Sequence, residues 1–256
     1  MTIATEGAFA PWSATDAAGQ LYGFEVDLAN ELCRRMQTEC RVIAQDWDGI
    51  LASLQQHRYD AVMAGVAITP ERAQVVSFSK PYAADPAALA ARINSPAADA
   101  FVRLERNTLI DLQQQPERTA EALSALAAQL RGKRVGVQTS TTHARLIESQ
   151  FPDALVQTYE RLDEAALDLT AGRLDYLLTA RSVVDIIGKA AGGAIVPVGP
   201  MISGGALGTG VGVVVRKDSG ELVTRFNAAI ESAVTDGSIS AISNKWFGFD
   251  IAPRRR

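Results

Sequence analysis

Residues 136–146 read GVQTSTTHARL: a buried-strand pattern, four consecutive hydroxyl residues, then one of the chain's two histidines on the first turn of a helix. Ser or Thr at such a junction caps the helix, because its oxygen accepts an amide N–H that the first turn leaves unpaired. Ser140 and Thr141 are the candidate caps. The same bare amides, together with hydroxyls, can also hold an anion such as a carboxylate. Capping is the simpler reading, and this stretch alone leaves both open.

Other residues fit for chemistry are sparse. His57, in the polar QQHRYD, reads as solvated surface at a helix end. The carboxylate pairs Asp46/Asp48 and Glu25/Asp27 read as charges at helix starts, where the macrodipole favours them, and not as acid–base pairs. The chain contains no G-x-S-x-G elbow, no phosphate-binding P-loop and no H-E-x-x-H. The glycines of GGALGTGVG (204–212) do not fit G-x-G-x-x-G and precede a strand instead of following one. Two cysteines and two distant histidines give no zinc-like spacing, so no metal and no cofactor are expected. This is the inventory of a binder, with no catalytic residue assigned.

The remaining elements must position those residues. The chain has 256 residues, enough for one large domain or two lobes with separate cores. It is 47% hydrophobic and 21% charged, ordinary for a soluble globular protein. A net charge of −4 without a basic stripe argues against nucleic-acid binding, and Arg254-Arg255-Arg256 reads as a solvated tail. No apolar run is long enough to span a bilayer.

Strand and helix patterns alternate. Strands are expected at 2–6, 41–45, 59–66, 87–93, 134–138, 155–159, 174–179, 194–198 and 210–218. Helices are expected at 25–36, 48–56, 142–151, 162–171 and 182–190, with two amphipathic helices closing the chain. In the first helix Leu28, Leu32 and Met36 share a face. ITPERAQ reads as turn, and 103–130 as a polar, partly helical insert. Such alternation means parallel sheets covered by helices, here in two blocks with the C-terminal segment returning to the first. Ligands of such sheets sit beyond the carboxyl ends of the strands, and a cleft between two lobes is the expected place. The glycines of 204–212 suit a flexible crossover.

Two further features bear on the compartment. No charged n-region or apolar h-region opens the chain, as in a cytoplasmic protein or in an exported one stripped of its leader. Cys33 in a helix and Cys40 before a strand can come within disulfide range, or remain two buried thiols.

GFEVDLANELCRRM (23–36) resembles the polar amino-acid family of periplasmic solute-binding proteins, the receptors of ABC importers. ATEGAFAPW, DWDGILASL, YDAVMAGVAITPER, FSKPYAAD, GKRVGVQTSTT, LDLTAGRLD and GVGVVVRKD follow in the family's order and approximate spacing. Within it the chain is most similar to lysine/arginine/ornithine receptors and, more closely, to octopine and nopaline receptors. The resemblance implies an α/β fold of two Rossmann-like lobes joined by two hinge strands (a type II periplasmic binding protein), with 1–85 plus 207–256 as lobe 1 and 86–206 as lobe 2. It implies a Cys33–Cys40 disulfide, a periplasmic location, a monomer, and a membrane permease as partner. Two other readings share the fold: a dehydratase-like enzyme, with Glu6 and His143 as its only acid–base candidates, and a sensor module of a membrane kinase.

The resemblance also implies a ligand set. Arg72 matches the arginine that forks onto the ligand α-carboxylate, and Thr142, beside the cap residue Thr141, the second carboxylate clamp. Phe9 and Trp47 match aromatic walls, and Glu6 an acid that receives the ligand's cationic end. Gln138 and His143 match polar contacts of the nopaline type. Departures are as informative. Ala180 stands where amino-acid receptors place the ammonium-binding Asp, and Ala64, Gly65 and Ala67 stand where they use serines. The expected ligand is therefore an opine-like or arginine-derived amino acid with a substituted α-nitrogen, a free basic amino acid being the alternative.

Overall fold

The computed structural model describes residues 1–101, 108–113 and 116–253, so the Arg254–Arg256 tail and part of the expected 103–130 insert lie outside the described residues. The chain begins with β1 (Thr2–Thr5), β2 (Ala8–Phe9), β3 (Ser13–Thr15), β4 (Leu21–Tyr22), α1 (Phe24–Arg35), β5 (Arg41–Ala44), α2 (Ile50–Gln55) and β6 (Ala61–Val62). It continues through α3 (Pro70–Val75), β7 (Ser77–Ala83), β8 (Ala87–Arg92), α4 (Pro96–Asp99), β9 (Leu109–Asp111), α5 (Pro116–Leu130), β10 (Arg134–Gln138), α6 (Thr142–Gln150) and β11 (Leu155–Tyr159). It ends with α7 (Leu162–Thr170), β12 (Tyr176–Ala180), α8 (Arg181–Ala190), β13 (Ile195–Ser203), β14 (Val211–Val215), α9 (Gly220–Thr235) and α10 (Ser238–Phe247).

Contacts divide the chain into two units, Met1–Ala84 with Thr209–Arg256, and Asp85–Gly208. The first holds a five-stranded sheet in the order β5-β1-β6-β14-β7 and a small antiparallel sheet, β2-β3-β4. In its larger sheet β1 is parallel to β5 and β6, while β14 is antiparallel to β6 and β7. The second unit holds a six-stranded sheet, β11-β10-β12-β8-β13-β9. There β10 is parallel to β11 and β12, and β8 is antiparallel to both its neighbours. Each of the two larger sheets is thus mixed: a parallel core of alternating strands and helices carries returning antiparallel strands.

The cores follow the sequence pattern. In the second unit Leu89, Val135, Val137, Leu146, Tyr176 and Leu178 pack together with Leu126 and Leu130 of α5. The expected polar insert therefore contributes a helix that buries two leucines in the core. In the first unit Ala4, Ile50, Leu54, Val62 and Val214 form one cluster, against which Trp47 packs. An aromatic cluster joins Trp12, Phe24, Tyr82 and Phe247, with centroids 5.0 Å apart for Phe24–Phe247 and 5.4 Å for Trp12–Phe24. Leu28 and Leu32 face inward, whereas Met36 is the C-cap and is only partly buried.

Two local expectations are corrected. The strand expected at 59–66 shrinks to Ala61–Val62, because Gly65 takes a left-handed φ of 63° and sends its N–H to a carboxylate instead of a neighbouring strand. ITPERAQ is not plain turn: Thr69 accepts from the Arg72 N–H, Pro70 takes the first helical position, and α3 follows. Strands β2 to β4, β7 and β9 had no expectation attached.

The start of α1 is fixed by backbone. Phe24 and Glu25 donate their N–H groups to the carbonyls of Pro11 and Trp12, each at 2.9 Å. A Cβ at Gly23 would lie 2.5 Å from the Trp12 carbonyl oxygen, and its φ is 132°, so glycine alone fits there. At the other end Cys33 and Cys40 form a disulfide, which ties α1 to β5.

Two stability predictions follow from these local devices. Cross-linking residues only 7 apart stabilises by about 2 kcal/mol. Thiol titration under denaturing conditions should find no free thiol, and reduction should lower the melting temperature without unfolding the protein. In the second unit the Thr141 hydroxyl accepts from the Ala144 N–H at 3.1 Å and caps α6. Thr141→Ala should cost about 1 kcal/mol, read as a Tm lower by about 2–4 °C. Thr142→Ala, one place inside the helix, should cost less.

Candidate ligand-binding site

Parallel strands deliver their residues to one edge. In the first unit Glu6 follows β1, Phe9 lies in β2, Trp47 follows β5, and Ala64, Gly65 and Ala67 follow β6. Arg72 stands in α3, next along the chain. All but Phe9 and Arg72 thus lie just past the carboxyl ends of parallel strands, where sheets of this class hold ligands.

Contacts draw these residues together. Arg72 is buried, donates from a terminal nitrogen to the Ala67 carbonyl at 3.1 Å, and lies with Cζ 5.4 Å from the Trp47 ring centroid. A guanidinium on an aromatic face gains about 0.5–2 kcal/mol, and its planar fork matches a carboxylate. One face of Trp47, expected to wall the ligand, therefore serves Arg72. Phe9 stacks on Trp12, and a Cβ at Gly65 would come within 3.2 Å of its ring. Serine at 65 would have to crowd Phe9 at a left-handed φ; glycine does neither.

In the second unit the opening motif resolves into parts. Gln138 ends β10 and donates its amide to the Glu160 carbonyl at 3.2 Å. Ser140 turns the chain with φ 57°. Thr141 donates to the Gln138 carbonyl at 2.7 Å while capping α6, so both its hydroxyl roles are structural. Thr142 is the first helical residue and buried, and His143 is second and partly exposed. Ala180 ends β12, which neighbours β10 in parallel, so its backbone belongs to the same sheet edge.

Ala180 occupies the N-cap position of α8 without capping it. That work falls to Asp85, whose two carboxylate oxygens each lie 3.3 Å from the Ser182 nitrogen. Desolvation raises the Asp85 carboxyl to about 6, against the lowering effect of the Ser182 bonds. Arg181 pairs with Asp185 at 2.7 Å.

Sequence reasoning missed Asp85 and the burial of Glu25. Asp27 is bound by Lys245 and Trp246 of α10 at 2.5 and 2.7 Å. Glu25 stands in the first turn of α1 as expected, but it is buried, and it accepts from the Gly65 N–H at 2.7 Å and from the Tyr82 hydroxyl. The available signal was its position among apolar residues in GFEVDL. Burial pushes the Glu25 carboxyl up to about 7, and burial beside Glu25 raises the Tyr82 phenol. Among the described residues no group of three or more His, Cys, Asp or Glu could hold a metal ion. No helix of the described residues is long and apolar enough to cross a membrane.

The chain as a whole is similar to known proteins. The chain is 35% identical over 273 residues to the octopine-binding periplasmic protein of Rhizobium meliloti, covering 99% of this chain and 92% of that one. It is 34% identical over 260 residues to the lysine/arginine/ornithine-binding periplasmic protein of Escherichia coli, covering 97% and 88%. A periplasmic His/Glu/Gln/Arg/opine family-binding protein from Silicibacter pomeroyi, solved in complex with lysine, superposes with a TM-score of 0.79 at 29% identity, covering 99% of each chain. The model of one family matches residues 1–249, and the chain belongs to it: the bacterial extracellular solute-binding proteins, family 3.

Proposed function

We propose that the protein is the periplasmic receptor of an ABC importer for an opine-like or arginine-derived amino acid. The observation that carries the reading is Arg72, a buried guanidinium held by the Ala67 carbonyl and the Trp47 face. A guanidinium so fixed presents a planar fork, which a ligand α-carboxylate matches with two parallel charge-assisted bonds. In the second unit Thr142 and the amides at the start of α6 are likewise suited to an anion.

The rest of the ligand follows from the departures. Glu6 and Trp47 suit a guanidinium or amine at the far end. Ala180 in the second unit, and Ala64, Gly65 and Ala67 in the first, offer no acid and no hydroxyl to an α-ammonium, and their small side chains suit a nitrogen that carries a second arm. The octopine-binding relative supports this reading, and the lysine/arginine/ornithine-binding relative favours a second one, a receptor for free basic amino acids. The relatives named are binding proteins, which supports a receptor over an enzyme; bound ligand should be recovered chemically unchanged by mass spectrometry.

A thermal-shift panel of arginine, ornithine, lysine, histidine, octopine and nopaline, followed by calorimetry, tests the assignment. Free arginine should bind more weakly than its conjugates, by roughly 2 kcal/mol for one lost charge-assisted bond. Ala180→Asp should move preference toward free amino acids, since Arg181 is already paired with Asp185. Tight binding of arginine with no response to any conjugate would select the second reading. Arg72→Ala should weaken any carboxylate ligand by about 2 kcal/mol or more, on the order of 30-fold. Near-wild-type binding by that variant would remove Arg72 from the site.

A further inference from the structure

Glu25 is a buried carboxyl to which the ligand reading gives no work. Its residue is 1% exposed. Oε1 accepts from the Gly65 N–H and the Tyr82 hydroxyl, while Oε2 is shut away from solvent with no hydrogen-bond partner among the described residues. An ionised carboxylate wants its lone pairs satisfied on both oxygens, and one bare oxygen in an apolar interior opposes ionisation. A neutral acid suffers less. Glu6, the group assigned to the ligand's cationic end, acts on Glu25 as a like charge and opposes ionisation further.

Glu25 is bonded by Tyr82 from β7 and by the Gly65 amide beyond β6. Glu6 directly follows β1, the parallel neighbour of β6, so it leaves the sheet at the same edge as Gly65. Charged groups on the other elements around α1 are engaged elsewhere. Lys245 of α10 pairs with Asp27, and Arg225 of α9 bonds the Met36 carbonyl and the Thr38 hydroxyl. Asp236, after α9, pairs with Arg35, and Lys80 of β7 with Glu231.

We propose that Glu25 is a proton-linked partner of Glu6: a cationic ligand group arriving at Glu6 expels the Glu25 proton, so affinity for cationic ligands rises with pH. The step is a plain ionisation, in which the carboxyl O–H bond breaks, its electron pair stays on oxygen, and the proton passes to the solvent buffer. A cation beside Glu6 offsets the like charge and favours the ionised form of Glu25. By linkage, ligand binding must release protons where free Glu25 is protonated and bound Glu25 is not, and must release none well above or well below that range. Burial holding Glu25 at about 7 puts the range at neutral pH. The inference rests on the reading in which Glu6 receives the ligand's cationic end.

Calorimetric titration with arginine from pH 6 to 8, in phosphate and in Tris, tests it. For a ligand-induced change of about one pH unit in Glu25, the affinity should rise on the order of five-fold between pH 6 and 8. Apparent heats near pH 7 should differ between the buffers by the heat of the released proton. In Glu25→Gln both the pH dependence and the buffer dependence should vanish. Should that variant not fold, carboxyl NMR of the unliganded wild type decides: a glutamate titrating near neutrality supports the proposal, and only ordinary carboxylate titrations overturn it. Arginine bound tightly with no proton exchange, or an unchanged pH profile in Glu25→Gln, overturns this inference alone. If arginine, lysine and octopine all fail to bind, the receptor reading falls and takes the inference with it.

Discussion

A parallel strand can be followed by another only after the chain has crossed back over the sheet, so successive strands all end at one edge. Most of the residues proposed to meet a ligand, Arg72 and Phe9 apart, depend on that constraint. In the first unit β1, β5 and β6 run the same way, and Glu6, Trp47, Ala64 and Gly65 come immediately after them. In the second, β10 and β12 do the same for Gln138, the hydroxyl run and Ala180. The apolar interiors of these strands, such as Val135 and Val137 or Tyr176 and Leu178, hold the ends in place. Polar residues at the edge can then be chosen for binding at small cost to the core.

Placement alone does not make a binding group; the side chain must also be ready. Arg72 shows how this is done with few parts. Thr69 caps its helix, the Ala67 carbonyl fixes one guanidinium nitrogen, and the Trp47 ring covers the plane. Holding a long side chain this way removes rotamer freedom before a ligand arrives, so the entropic cost of ordering is met by folding and not by binding. The same economy governs α6. Thr141 spends both its hydrogen bonds on the turn and the cap, which leaves Thr142 as the hydroxyl with a place on the first helical turn.

Period and punctuation made much of the fold legible in the sequence. The helices of α1, α6, α7, α9 and α10 and the strands β1, β10, β11 and β12 follow from apolar spacing, because a buried face leaves a mark at every turn or every second residue. Segments whose shape is set by contacts distant in sequence left no such mark. Val62 to Val66 reads as continuous strand, yet Gly65 turns away to a carboxylate forty residues earlier. The helix of ITPERAQ was written in its Thr-Pro pair, a cap signal too short to register against a turn-rich background. Arg72, Trp47 and the hydroxyl run could be picked out through family resemblance, but not the bond from Arg72 to Ala67 or the stacking on Trp47. The helix-start position of Glu25 was legible but its burial was not, since a sequence gives charge and not burial, and Asp85 was missed because its partner Ser182 lies 97 residues on.

Asp85 bears on how the site distinguishes ligands. A helix start favours one negative charge, and at α8 that charge is provided by Asp85 through the Ser182 nitrogen. Its carboxylate is thereby committed to the helix, and the strand end at Ala180 stays apolar and buried. A primary ammonium brings three N–H donors and a full charge to whatever surrounds it, and each donor left unmet in a buried place costs free energy. A secondary ammonium brings two donors and replaces the third with carbon, which an alanine methyl can meet by contact. In the proposed ligand, substitution at nitrogen therefore lowers the demand for acceptors at the position where the chain has given up its acid. Selectivity of this kind needs no new attraction to the conjugate: it arises because the smaller, more polar competitor is left under-satisfied.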